Sequence, residues 1–131
     1  MIRNRGAAII VQDGKIALIK RIREGEVYFV FPGGGIEEEE TPEEATKREV
    51  YEELGVQIEV KRLITKVKHK GTEYYYDAHI TDGVFGSGKG EEFKQKDRGS
   101  YIPLWVPINE LEKLNIKPCE VVESIFENYK V

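Results

Sequence analysis

The chain reads as an α/β protein of one domain, residues 1–131. Three observations predict this. Strand-like patterns lie on both sides of one sharply capped helix, a second amphipathic helix closes the chain, and 40% hydrophobic with 34% charged residues suits a soluble globular core. With 131 residues, two separate cores would each fall below a comfortable folding size, and no linker or internal repeat interrupts the chain. Wholesale disorder is excluded by aliphatic and aromatic residues spread along the whole length. No window approaches the roughly 18 consecutive apolar residues of a membrane helix, and no secretory cleavage pattern follows the first residues. Cys119 alone closes no intrachain disulfide, and one cysteine with two histidines builds no ordinary zinc site. The cytoplasm is the expected compartment.

Residues 7–11 and 15–22 form a β-hairpin around Asp13-Gly14, the dipeptide that most readily supplies positive φ in a tight turn. Residues 23–26 are a polar loop and 27–31 a short apolar strand. Pro32-Gly33-Gly34-Gly35 then excludes regular structure and exposes backbone amides to close approach. Thr41-Pro42-Glu43-Glu44 starts a helix: Thr41 caps it, Pro42 suits the first helical position, and Glu44 completes a capping box. Gly55 stops that helix. Strands over 56–68 and 73–80 meet near Lys70-Gly71, with alternation blurred by Tyr74-Tyr75-Tyr76. A charged, glycine-rich loop over 81–100 is long enough to point to function rather than connection. Residues 101–106 are a strand and 107–114 a short helix, and 119–129 form the closing amphipathic helix beyond Lys117-Pro118.

Charge is uneven along this frame. Between Gly34 and Val56 nine glutamates face only Lys47 and Arg48, whereas the rest of the chain carries 15 acidic and 18 basic residues within a net charge of −4. An arbitrary glutamate run is most simply a solvated helix face. Here the spacing says more. On a helix at about 100° per residue, Glu49, Glu52 and Glu53 fall within about 100° of one another, and Val50, Tyr51 and Leu54 occupy the other side. Like charges at i, i+3 and i+4, with no basic residue interleaved at those positions, destabilise a bare helix. Neutralising one should therefore leave the fold no less stable. Hard carboxylate oxygens on a rigid element, next to a glycine-rich turn offering backbone carbonyls, are the donors Mg2+ or Mn2+ takes. Magnesium normally bridges such carboxylates to substrate phosphates, so a phosphate-bearing substrate is expected with it.

The same segment carries Gly34, then Glu40 after five residues, then after seven more Arg48, Glu49, Val50, Glu52, Glu53, Gly55 and Val56. In this it resembles the Nudix hydrolase family, every fixed position of whose signature is met. The flanks agree more loosely, through Phe29-Val30-Phe31-Pro32-Gly33 before the motif and Leu104-Trp105-Val106-Pro107 with Glu110-Leu111 after it. The resemblance implies an α/β/α sandwich around a mixed β-sheet. It also implies Mg2+-dependent hydrolysis of the diphosphate linkage in a nucleoside triphosphate, ADP-ribose, a sugar nucleotide or a dinucleoside polyphosphate. It makes Glu49, Glu52, Glu53 and Arg48 the catalytic set. Glu49, Glu52 and Glu53 would hold the metal, one of them activating water, with backbone at Gly34 and Gly35 reaching metal or phosphate. Arg48 would orient the carboxylates through a contact to Glu40.

Two departures stand out. Many members carry glycine where this chain has Glu39, which leaves the loop before Glu40 less tightly turned or adds a carboxylate to the site. Others supply a further glutamate shortly before the later tryptophan, but residues 99–104 hold no acid, and of the nearest, Glu91 and Glu92, the second is the candidate metal ligand.

Other signals carry less. Residues 83–90 nearly spell a phosphate-binding P-loop, yet Gly90 stands where Ser or Thr must hold magnesium and no helix pattern follows. Lys89 and Arg21 remain candidate phosphate contacts, with Arg3, Arg5, Lys20 and Arg23 as further basic residues. Tyr76, with Tyr74, Tyr75 and Trp105, is the candidate for stacking a nucleobase. His69 and His79 read as ordinary strand positions. No continuous basic stripe points to nucleic acid, so the expected partner is a small nucleotide-type substrate, with a homodimer as the default assembly. Two rival readings compete: a catalytically silent Nudix-fold regulator that binds a nucleotide, and a calcium-binding acidic helix. The second lacks EF-hand spacing and leaves Arg48 unexplained.

Overall fold

Alanine and isoleucine fill positions 7–10 without a polar residue between them, a pattern that suits a strand covered on both faces. In the computed structural model, which describes residues 3–88 and 100–129, this is the central strand β1 (Arg5–Gln12). It turns through Asp13-Gly14, both at positive φ, into β2 (Lys15–Arg23). A second two-residue turn, Glu24-Gly25, again at positive φ, leads into β3 (Glu26–Val30). The polar loop expected over 23–26 is thus only a tight turn between paired strands, because Arg23 and Glu26 are already in register.

The glycine run does not exclude regular structure as expected. Gly33–Gly35 is a short buried strand, β4, antiparallel to the start of β1 with Gly6 opposite Gly34. The absence of side chains is what permits it: a Cβ on Gly33 would collide with the Gly6 carbonyl and with Ala7, and one on Gly6 with Thr46 Oγ1. Helix α1 (Pro42–Leu54) follows with the expected capping box, Glu44 N–H donating to Thr41 Oγ1 at 3.1 Å and Thr41 N–H to Glu44 Oε1 at 2.8 Å. Gly55 ends it in the left-handed region.

Strands β5 (Val56–Lys68) and β6 (Thr72–Gly83) form an antiparallel pair, and β6 runs parallel to β1, so the sheet is mixed. Strand β7 (Ser100–Pro107) pairs with β2. The expected loop over 81–100 therefore begins later, since residues 81–83 and 100 are strand; residues 89–99 lie outside the described residues. A 3₁₀ helix (Ile108–Lys113) stands for the expected short helix, and α2 (Glu120–Asn128) closes the fold. Among the described residues, no helix is long and apolar enough to cross a membrane.

The seven-stranded sheet runs β3-β2-β1-β6-β5, with β4 added to β1 and β7 to β2. Side chains alternate across it. Ala7, Ile9, Ile16 and Leu18 pack with Ile108, Leu111, Val121 and Ile125 on the α2 side. Ala8, Ile10, Ala17 and Ile19 pack with Val50, Leu54 and Val56 on the α1 side. The result is the α/β/α sandwich.

Candidate active site

The floor of the site is the close contact of α1, β1 and β4, made possible by glycines at Gly6 and along Gly33–Gly35. Because Gly6 lets α1 approach β1 and Gly33 lets β4 approach β1, the inner face of α1 lies directly on the glycine strand. Glu53, only 6% exposed, points into that contact and accepts the Gly33 N–H at 2.8 Å. One turn earlier the Glu49 carboxylate fills the space a Gly34 side chain would take.

Arg48 stands between the acids. Its guanidinium grips Glu40 through both oxygens, at 2.7 and 3.0 Å, donates to Glu49 Oε2 at 3.1 Å and to Glu52 Oε1 at 3.0 Å, and bonds the Gly35 carbonyl at 3.0 Å. Such a fork satisfies several acceptors with one rigid, permanently charged group. The Arg48 side chain holds the Glu40 carboxyl down to a pKa of about 2, and Glu40 in return, ahead of Glu52 and Glu49, pushes Arg48 further up. The orienting contact expected between Arg48 and Glu40 is thus present. The picture of interleaving-free repulsion needs correction, however, because Arg48 folds back along the helix and neutralises Glu49 and Glu52. Removing charge from Glu52 breaks an ion pair rather than relieving repulsion.

A cleft of about 610 Å³ opens along β4. Glu49 and Glu53 line it, together with the buried Gly33, Gly34 and Gly35. Glu52, whose side chain is 40% exposed, is turned to Arg48 and does not line it. Among the described residues no three acidic, histidine or cysteine side chains gather into a metal-holding group. The physical reason is visible: Glu49 and Glu52 are drawn to Arg48, and Glu53 to the Gly33 amide. Magnesium requires only one or two protein carboxylates, completing its shell with water and phosphate oxygens, so Glu49 and Glu53 fit such an ion. The Gly35 carbonyl accepts a hydrogen bond from Arg48 at 3.0 Å, which ties the glycine strand to the acid cluster.

The remaining sequence candidates divide. Arg21 does reach the cleft, half-buried, with its guanidinium 3.8 Å from the ring centre of Tyr101, which also lines it. Tyr76 does not. Strand alternation sends Tyr74, Tyr76 and Ala78 to the α1 side, where Tyr76 stacks on Tyr74 and its hydroxyl is pushed up to about 12 by burial and by Glu43. Tyr75, one residue out of phase, is the tyrosine of β6 that lines the cleft. Trp105 stacks on Phe85 at 4.8 Å and packs in the α1-side core, away from the cleft. Lys89 and Glu92 lie outside the described residues. His69 is not in a strand but in the bend after β5, and it lines the cleft; His79 sits on β6 as expected. The P-loop-like glycines have a structural use, since Gly86 N–H donates to the Leu54 carbonyl at 2.9 Å and so finishes the end of α1. Missed altogether were Tyr101, Glu73 and Glu120, which sequence order scatters over three elements.

A family model described as the NUDIX domain matches residues 2–123. The chain is 43% identical over 56 residues to an RNA pyrophosphohydrolase of Aeromonas hydrophila, an alignment covering 43% of this chain and 31% of that protein. It is 33% identical over 117 residues to diphosphoinositol polyphosphate phosphohydrolase 2 of Mus musculus, covering 80% of this chain and 65% of the relative. It therefore spans from about a third to just under two thirds of the length of these two relatives. Among solved structures it superposes on a MutT NUDIX hydrolase from Burkholderia pseudomallei with a TM-score of 0.74 at 27% identity, covering 94% of this chain and 97% of that one.

Proposed function

The chain belongs to the NUDIX family, and on that premise we propose that it is a pyrophosphohydrolase. It hydrolyses the diphosphate linkage of a small nucleoside diphosphate derivative with the help of a divalent cation, Mg2+ or Mn2+. The observation that carries this reading is the placement of Glu49 and Glu53 in one cleft against a strand of three glycines, with Arg48 fixing the surrounding acids. A pure binding module has no need for two such carboxylates facing one cleft, which weighs against a silent nucleotide-binding regulator.

When bound, the cation supplies neutralisation of diphosphate charge and a more acidic water. The chain supplies the rest. Glu53, locked by the Gly33 amide, and Glu49, seated over Gly34, are the carboxylates placed to hold the cation and to take the proton of the attacking water. Glu52 lies outside the cleft, bound to the same arginine. Arg48 is a positioning residue. It ties Glu40, Glu49 and Glu52 to the Gly35 carbonyl, so that acids and glycine strand move as one piece. The lack of side chains on β4 is what lets the Glu49 carboxylate close over Gly34 and the Arg3 guanidinium over Gly35, so that an acid and a base flank the same short strand.

The substrate is one of nucleoside triphosphates, ADP-ribose, sugar nucleotides and dinucleoside polyphosphates. RNA joins a test panel because one relative is named an RNA pyrophosphohydrolase, and a diphosphoinositol polyphosphate joins it because of another. The test is phosphate or nucleotide release across this panel with Mg2+, with Mn2+ and with EDTA. Metal-dependent turnover of at least one member is expected; equal turnover in EDTA, or tight binding with no turnover of any member, would overturn the reading.

A further inference from the structure

The glycine strand has two sides, and the proposed chemistry uses one. Glu49 meets Gly34 from the α1 side. On the other side the Arg3 guanidinium lies across Gly35, in the space a side chain there would fill. Arg3 and Arg5 share the parity of Ala7 and Ile9, so both project to the α2 side, and both line the cleft. Their backbone is firmly held: Gly71 packs against the Arg3 carbonyl, Asn4 Oδ1 accepts the Thr72 N–H at 2.9 Å, and Arg5 pairs with Gly35 on one edge and Glu73 on the other.

The charges in this half are unevenly paired. Glu73 is the strand neighbour of Arg5, yet its Oε1 accepts the buried Tyr75 hydroxyl at 2.7 Å. Glu120 opens α2 and takes a weak bond from Cys119, and Lys117 is bound to Glu26 at 3.0 Å. Among the described residues, neither Arg3 nor the half-buried Arg5 has a carboxylate within ion-pair distance or a side-chain hydrogen bond. Arg3 just precedes β1 and Arg5 opens it, so two guanidinium-bearing residues whose Cα atoms are about 7 Å apart share one cleft with neither in an ion pair among the described residues, and an anion placed between them would be attracted by both. His69 faces the same space from the β5–β6 bend and brings a ring N–H in either of its neutral tautomers.

We propose that Arg3 and Arg5, with His69 beside them, form an anion subsite on the α2 side of the glycine strand that takes a phosphate group of the substrate outside the scissile diphosphate. This rests on the hydrolase reading for its role in turnover, though not for the binding itself. Because Glu49, Glu53, Arg3 and Arg5 line one cleft, an elongated, multiply phosphorylated molecule can lie along it with its scissile linkage at Glu49 and Glu53 and its further phosphate at Arg3 and Arg5. Substrates ending in a neutral sugar bring no anion to the two arginines and gain nothing from them.

The test separates binding from turnover. Inorganic tripolyphosphate is titrated calorimetrically in EDTA against the wild type, Arg3→Gln, Arg5→Gln and, as a control, Lys61→Gln, an exposed residue of β5 paired with Glu59. Each arginine variant should bind about tenfold more weakly, and the control should bind as the wild type does. Arg3 is exposed, so its variant keeps the test open if Arg5→Gln folds poorly. In turnover, Arg3→Gln should raise KM about tenfold for a triphosphate-bearing substrate at unchanged kcat, and should leave a diphosphate-linked neutral sugar unaffected. Equal tripolyphosphate affinity in all four proteins, or the same KM change for both substrates, would overturn the subsite. Loss of tripolyphosphate binding in the arginine variants of a chain that turns over nothing would instead retain the subsite and remove the hydrolase.

Discussion

Helix α2 reaches the sheet through Val121 and Ile125, both fully buried among Ile9, Leu18, Ile108 and Leu111. Helix α1 covers the opposite face with Ala45, Val50 and Leu54, but shares its buried side with Thr46 and Glu53. The two helices are therefore held differently. Apolar burial, about 1.5–3 kcal/mol for each large side chain, fixes α2. Helix α1 leans more on polar devices: a capping box, a left-handed glycine stop, the Gly86 amide on its last turn, and Arg48 across its acids. One helix exchanges stability for a site that can do chemistry, and the other supplies the stability. Substitutions in α1 should thus fail first in rate, and substitutions in α2 first in folding.

The largest effect should come from Glu53→Gln. The amide oxygen can still accept the Gly33 N–H, so the melting temperature in EDTA should move little, while loss of the charge and of the proton acceptor lowers kcat about 10²–10⁴-fold. Initial rates beside thermal melts decide this. Wild-type rates in a destabilised protein would make Glu53 a packing residue and remove the contrast between the helices.

Ile125→Ala tests the other side. Deleting a fully buried isoleucine side chain beside Ile9 and Leu18 should cost about 3 kcal/mol of unfolding free energy. Turnover per folded molecule should stay within twofold, because Ile125 reaches neither the glycine strand nor the cleft. Urea unfolding with active-site-normalised rates checks both halves of the claim.

Arg48→Ala falls between the two. Loss of the positioning group should lower kcat tenfold to hundredfold with little change in KM, since Arg48 holds acids and not substrate. Its pH signature is specific. Glu40 is held well below its ordinary value, at about 2 against 4.5, so the stability it contributes is present above about pH 4.5 and lost as pH falls toward 2. In Arg48→Ala that loss should largely vanish, leaving a flatter dependence of unfolding free energy on pH across this window. An unchanged slope would mean that some other group holds Glu40.

Much of this contrast was already legible in the sequence, for reasons that differ by element. Helix α1 announces itself through Thr41, Pro42, Glu44 and Gly55, all local signals whose partners lie within a few residues. The α2 pattern is a plain amphipathic period. What could not be read was whatever depends on pairing at a distance. Gly33–Gly35 looks like a breaker until Gly6 and Ala7 are placed opposite it, and the resemblance has Arg48 orient the carboxylates through Glu40, whereas its direct bonds to Glu49 and Glu52 show only when its side chain folds back. Tyr76 and Tyr75 are indistinguishable by composition. Only the register of β6 against β1, with Ala7 opposite Tyr75, shows that Tyr75 meets the cleft and Tyr76 the α1 side. The cleft itself draws Arg5, Arg21, His69 and Tyr101 from separate elements, and no spacing along the chain encodes that meeting.

The smallest expected effect lies at the turn that feeds α1, and it tests whether Glu39 adds a carboxylate to the site or only bears the strain of a tight turn. Glu39 sits at φ +70°, exposed, between Glu38 and the Arg48-bound Glu40, where relatives of the resembled family often have glycine. The turn is as tight as a glycine would make it: Glu40 N–H donates to the Glu37 carbonyl at 3.1 Å, and Glu37 N–H to Glu40 Oε1 at 2.9 Å. The glutamate therefore bears the strain of a left-handed conformation, about 1–2 kcal/mol for a residue with a Cβ, partly offset by the greater freedom glycine would have in the unfolded chain. It does not line the cleft, so it adds no carboxylate to the proposed metal site. Glu39→Gly should raise stability by up to about 1 kcal/mol and keep kcat within twofold, whereas Glu39→Ala, which removes the carboxylate but keeps the Cβ, should gain nothing. If instead both variants lost metal-dependent turnover while stability stayed level, Glu39 would be a working ligand, and the chemistry of α1 would begin a full turn before the helix does.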